Sequence, residues 1–147
     1  MRLPERVARE YVAASNRNDQ LSMVGRIHDD AEWIPISPVE PRRGLSSISE
    51  RYLTEVRAMN APIVDNVYVA DEQRCVVEFI VEHPEHRRVP IVDVFDVDHA
   101  GKTTRLAVYR RWPPSAGSTG NRNRGILAPE TRKRREAEVP HRHRFAH

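Results

Sequence analysis

The chain has one cysteine in 147 residues, Cys75, so no internal disulfide can staple it. That thiol lies inside the apolar run CVVEFIV and reads as a small buried hydrophobe. No apolar run approaches the roughly 18 residues that a membrane span needs. The N-terminus MRLPERVARE lacks the apolar core of a secretory signal. A reducing, cytoplasmic setting is the expectation. A glycine-rich phosphate loop, a nucleophile elbow and a paired metal-ligand motif are all missing, as is any internal repeat. Neither a metal nor a cofactor is expected.

What is present divides into two parts. Residues 1–112 hold 16 Lys and Arg against 18 Asp and Glu, a net charge of −2, whereas residues 113–147 hold 8 against 3, a net of +5. The basic character of the whole therefore belongs to the tail, and the first part offers no electrostatic reason to expect nucleic acid. The segment PPSAGSTGNRNRG has linker composition, and ETRKRREAEVPHRHRFAH is charged and nearly free of large apolar residues. Residues 113–147 read as a disordered basic tail, and 1–112 as one domain. RKRR at 132–135 and HRHRFAH at 141–147 resemble anion- and metal-binding tracts. Without a fold to organise them they read as solvated chain.

Residues 4–18 carry Val7, Tyr11 and Ala14 at helical spacing behind Pro4, which suits a first turn. A shorter helix is expected from Gln20 to His28, capped by Asp19. Asp29 and Asp30 read as a turn, and AEWIPI at 31–36 as a short strand that Pro35 confines to an edge. A third helix, capped by Ser46 or Ser47 with Glu50 in reach, runs to about Met59 with Ile48, Tyr52 and Val56 on its stripe. From Ile63 the period changes to two. Strands are expected at 63–70, 74–83, 88–98 and 104–112, joined by tight turns and hence antiparallel. Three helices before such a meander predict an α+β fold: a cone-shaped, curved antiparallel sheet with the helices enclosing a pocket.

The stretch RVPIVDVFDVD, 88–98, stands out. Val89, Ile91, Phe95 and Val97 alternate with Pro90, Val92, Val94 and Asp96. Asp93 therefore shares a face with Ile91 and Phe95. A carboxyl on an apolar strand face is costly to ionise, so it is either paired with a neighbour or has a raised pKa and chemistry to perform. Tyr11, by spacing alone, is a core tyrosine or a site residue. His83 and His86 flank Pro84 in a hairpin loop, a poor geometry for two metal ligands. His28 and His99 read as surface or turn residues.

The segments REYVAASNRND (9–19), IHDDAEW (27–33), EPRRG (40–44) and PIVDVFDVDHAGK (90–102) together resemble the nuclear transport factor 2-like superfamily, in its SnoaL-like and ketosteroid-isomerase-like branch. The similarity covers about residues 5–112. It implies that Tyr11 stands where the isomerases keep an oxyanion-hole tyrosine, and Asp93 where they keep the protonated aspartic acid of that hole. Pro35, flanked by Ile34 and Ile36, stands where they keep the general base; Glu40 and Glu32 are the nearest substitutes. SnoaL-type polyketide cyclases, which close a ring with one central carboxyl, are similar in a way that suits this loss. The limonene-epoxide-hydrolase relatives need an Asp–Arg–Asp trio, of which Asp93 with Arg105 or Arg110 supplies part. The resemblance thus implies a cofactor-free isomerase or cyclase acting on an apolar carbonyl compound, with Asp93 and Tyr11 catalytic and Trp33, Tyr52, Phe79, Phe95 and Trp112 forming the apolar walls. It also implies a homodimer. The alternative is a non-catalytic module that binds a small molecule or a protein on the same scaffold. Action on nucleic acid through the tail is the weakest reading.

Overall fold

The computed structural model describes residues 1–57, 60–85 and 87–110; Met59, His86, Trp112 and the tail lie outside these. The elements in order are α1 (Leu3–Asn16), α2 (Gln20–Val24), β1 (Ile27–Ile34), β2 (Arg42–Arg43), α3 (Leu45–Arg51) continuing into a π-helical turn (Tyr52–Val56), β3 (Ile63–Ala70), β4 (Arg74–His83), β5 (Arg87–Val97) and β6 (Thr103–Arg110). The fold is α+β. Among the described residues no helix is long and apolar enough to cross a membrane.

Helix α1 starts on Pro4 and buries Val7, Ala8, Val12 and Ala14. Asn18, with φ of 58°, turns the chain out of it. Asp19 then caps α2, its carboxylate accepting from the Ser22 N–H at 3.1 Å. α2 ends at Val24, four residues short of the expectation, and β1 takes Ile27 and His28 together with Asp29 and Asp30. The cause is non-local. The Thr103 N–H donates to the Arg26 carbonyl at 2.6 Å, and Ile27 registers with Thr103, so pairing with β6 extends the strand through a local turn signal.

That pairing is parallel, and it corrects the antiparallel expectation. The sheet is mixed, in the order β2-β1-β6-β5-β4-β3, with the four long strands after α3 forming the antiparallel meander. Strand parity holds along β4 and β5, while β3 and β6 each shift register once. Cys75, Val77 and Phe79 of β4, Ile91, Asp93, Phe95 and Val97 of β5 and Leu106 of β6 are buried on one face against α1. The opposite face carries the cross-strand row Val69–Val76–Val94–Ala107.

Helix α3 starts on Gly44, whose φ of 95° suits glycine, rather than on a serine cap. Glu50 pairs with Arg42 at 3.1 Å instead of closing a capping box. The helix then widens into the π turn at Tyr52. Asn16, at the end of α1, holds the sheet edge: its amide donates to the Ile63 carbonyl at 3.0 Å and accepts from the Ile63 N–H at 2.8 Å.

Candidate active site

A cavity of about 190 Å³ lies between the helices and the inner face of the sheet. Its deep walls come from Trp33 of β1, Tyr52 of the π turn, Phe79 of β4, Ile91 of β5 and Val108 of β6. Asp93 enters it from the middle of β5, between Val77 and Val108 on the neighbouring strands. The carboxyl is 4 % exposed, and its Oδ1 has no hydrogen-bond partner among the described residues. With no cation or donor beside it, burial alone lifts its pKa to about 8. Of the two readings of Asp93 open in the sequence, the paired structural carboxylate does not describe it.

Tyr11 reaches the same cavity from α1, and its hydroxyl meets that of Tyr52 at 2.5 Å. The rings cross edge to face, with centroids 6.2 Å apart. Tyr52 packs in the same manner on Trp33 at 5.8 Å. Burial raises the Tyr11 phenol well above its usual range, and the neighbouring Tyr52 and Asp93 add to this; burial does the same for Tyr52. Both phenols therefore stay protonated and able to donate at any pH near neutrality. A buried acid and a pair of linked phenols in an apolar cavity make a preorganised donor set for an oxygen that gains negative charge.

Of the residues expected at the site, Tyr11, Asp93, Trp33, Tyr52 and Phe79 all line the cavity. Phe95 does not. It is fully buried one pleat further along β5, edge-on against Tyr11 at 5.1 Å, and so supports the tyrosine from behind. Trp112 lies outside the described residues. Pro35 follows β1 directly, and Ile36 presents an apolar side chain to the cavity. Glu32 points to the other side of β1, 3.7 Å from Arg105, and Glu40 is exposed. Neither lines the cavity, and nor does Arg105 or Arg110. Among the described residues lining it, Asp93 is the sole carboxyl and there is no Lys, Arg or His.

Two features escape sequence reasoning. Tyr52 reads there as a wall, yet it is also the hydrogen-bond partner of Tyr11; two tyrosines on separate helical stripes are the only signal. Part of the lining is polar: Ser15, Asn18, Gln20 and Asn60. In sequence these read as helix ends and loop.

No protein-family model matches the chain, and neither does any curated protein. Solved structures do. A protein from Xanthomonas campestris pv. campestris, provisionally assigned as a polyketide cyclase, superposes with a TM-score of 0.62 at 20 % identity, over 74 % of this chain and 90 % of that one. The epoxide hydrolase/cyclase-like enzyme SalBIII, of pyran ring formation in the polyether salinomycin, gives 0.62 at 20 % identity over 74 % and 90 %. A protein from Kribbella flavida, provisionally assigned as a ketosteroid isomerase, gives 0.65 at 15 % over 80 % and 86 %. Identities this low carry the fold. The chain has the nuclear transport factor 2-like fold, the one its sequence resembles.

Proposed function

We propose that the chain is a cofactor-free acid–base enzyme, an isomerase or cyclase, acting on a small apolar carbonyl compound. The observation that carries this reading is the Asp93 carboxyl: buried, unpartnered, and facing an apolar cavity beside the Tyr11–Tyr52 pair. The Tyr11–Tyr52 hydrogen bond can run in either direction, and when Tyr52 donates the Tyr11 proton is left for the substrate carbonyl. Asp93 as carboxylate removes a proton from the carbon next to that carbonyl, and Tyr11 stabilises the enolate oxygen. Asp93, now the acid, returns the proton to another carbon (isomerisation) or to the alkoxide formed when the enolate closes on a second carbonyl (cyclisation). One carboxyl serves both steps, so the absence of an acidic side chain at Pro35 does not break the cycle.

The test needs no knowledge of the natural substrate. Small cyclic ketones incubated with the protein in deuterium oxide should exchange their α-hydrogens, and Asp93→Asn should slow this at least about 100-fold. Because the carboxylate abstracts the proton, the rate should rise about tenfold per pH unit below pH 8 and level off above. Exchange that persists in Asp93→Asn would falsify the assignment and favour the non-catalytic binding module. We also propose a homodimer formed through the outward sheet face, where Val67 and Val69 are 54 % and 67 % exposed and Tyr109 49 %.

A further inference from the structure

The cavity's described lining is apolar except for Asp93, the tyrosine hydroxyls and the polar group Ser15, Asn18, Gln20 and Asn60. Gln20 is only 5 % exposed, yet its amide faces the cavity. Its single side-chain hydrogen bond among the described residues runs to Asn18, Nε2 donating to Oδ1 at 2.6 Å. That bond leaves the Gln20 Oε1 and the Asn18 Nδ2 unengaged, and turning both amides over still leaves one acceptor and one donor. The side chains of Ser15 and Asn60 make no hydrogen bond among the described residues. A polar lining group with hydrogen-bonding capacity to spare offers a matching ligand group a partner. Among the described residues lining it none carries a positive charge, so a carboxylate or phosphate on the ligand would enter unpaired and approach Asp93.

Size adds a second limit. An apolar cavity of roughly 150 Å³ holds one benzene ring. At about 190 Å³, this one has room within its walls for one six-membered ring with short substituents.

Building on the function proposed above, we infer that Ser15, Asn18, Gln20 and Asn60 form a second polar subsite, and that the substrate is a neutral, single-ring compound with two oxygen groups. One oxygen is the reacting carbonyl at Tyr11 and Asp93. The other is a hydroxyl or carbonyl that bonds the amides of this subsite.

Phenols carry an oxygen suited to the Tyr11–Asp93 end and serve as probes. Binding to the full chain is measured by calorimetry for 4-ethylphenol, 4-(2-hydroxyethyl)phenol and 4-hydroxyphenylacetate. The hydroxyethyl compound should bind roughly fivefold tighter than the ethyl compound, the gain of one neutral hydrogen bond, and the carboxylate should bind weakest. Gln20→Leu should remove the preference between the two neutral phenols. Should that buried substitution not fold, Ser15→Ala with Asn60→Gly serves instead, since alanine suits α1 and glycine suits the Asn60 φ of 34°. If 4-ethylphenol binds but the hydroxyethyl group adds nothing, or its advantage survives both variants, the second subsite is refuted and the catalytic reading stands. Should no phenol bind, both fall together.

Discussion

At the scale of the residue, Asp93 sets function against stability. A carboxyl with an ordinary pKa near 4 in the unfolded chain and about 8 in the folded one binds its proton more tightly when folded. The folded state therefore holds an extra proton between those values, and stability falls as pH rises through that window. Below pH 4 the effect is complete; above 8 it is lost. Asp93→Asn has no charge to bury, so in urea melts at pH 8.5 it should exceed the wild type by on the order of 5 kcal/mol, and by far less at pH 4.5. An equal difference at both pH values would show that the carboxyl is not the group responsible. Asp93 is legible in the sequence because parity puts it beside Ile91 and Phe95 on one strand face. The residues of the polar lining are not. Asn18 and Gln20 do the local work of ending one helix and starting the next, and nothing in that local role reveals that their amides meet over a cavity.

At the scale of the element, periodicity carries the β meander correctly and non-local pairing decides what it cannot. Period-two alternation fixes which face of β4 and β5 is buried, since each inward residue has an inward cross-strand neighbour. It does not say that β1 lies parallel to β6, nor that this contact draws Ile27 to Asp30 into a strand. The widening of α3 into a π turn at Tyr52 is equally hidden, because the stripe of Ile48, Tyr52 and Val56 is spaced as in an ordinary helix. Such turns recur at functional sites, and this one holds the Tyr52 hydroxyl against Tyr11. The joint between α1 and the sheet edge depends on Asn16, which bonds both backbone groups of Ile63. Asn16→Ala should lower unfolding free energy by about 1–3 kcal/mol, and amide exchange should show Ile63 losing most of its protection. Retained protection at Ile63 would mean that the clamp does not hold the edge.

At the scale of the whole molecule, one face of the sheet is spent on the core and the cavity, while the other mixes an apolar row with ion pairs such as Arg74–Asp96 and Arg105–Glu32. Val69, Val76, Val94 and Ala107 form a row across four strands, exposed at Val69 and flanked by the exposed Val67 and Tyr109, and exposed apolar groups of this kind mark association sites. Light scattering on the full chain should give about twice the monomer mass of 17.0 kDa. Val94→Glu, which places a charge in the middle of that row, should return it to 17.0 kDa with its circular dichroism unchanged. A wild type that is already monomeric would rule the dimer out. The α+β order is legible in the sequence because it rests on local periodicity. The cavity's size and the carboxyl among its described lining are not, since they depend on how eight elements converge.

The most direct measurement is the titration of Asp93 by carboxyl-carbon NMR on the full chain, assigned with Asp93→Asn. A buried, unpartnered acid should give a midpoint near pH 8, moving when 4-ethylphenol fills the cavity. A midpoint at or below the ordinary carboxyl value of about 4 would make Asp93 a solvated or paired structural carboxylate, and would contradict the acid–base mechanism at its centre.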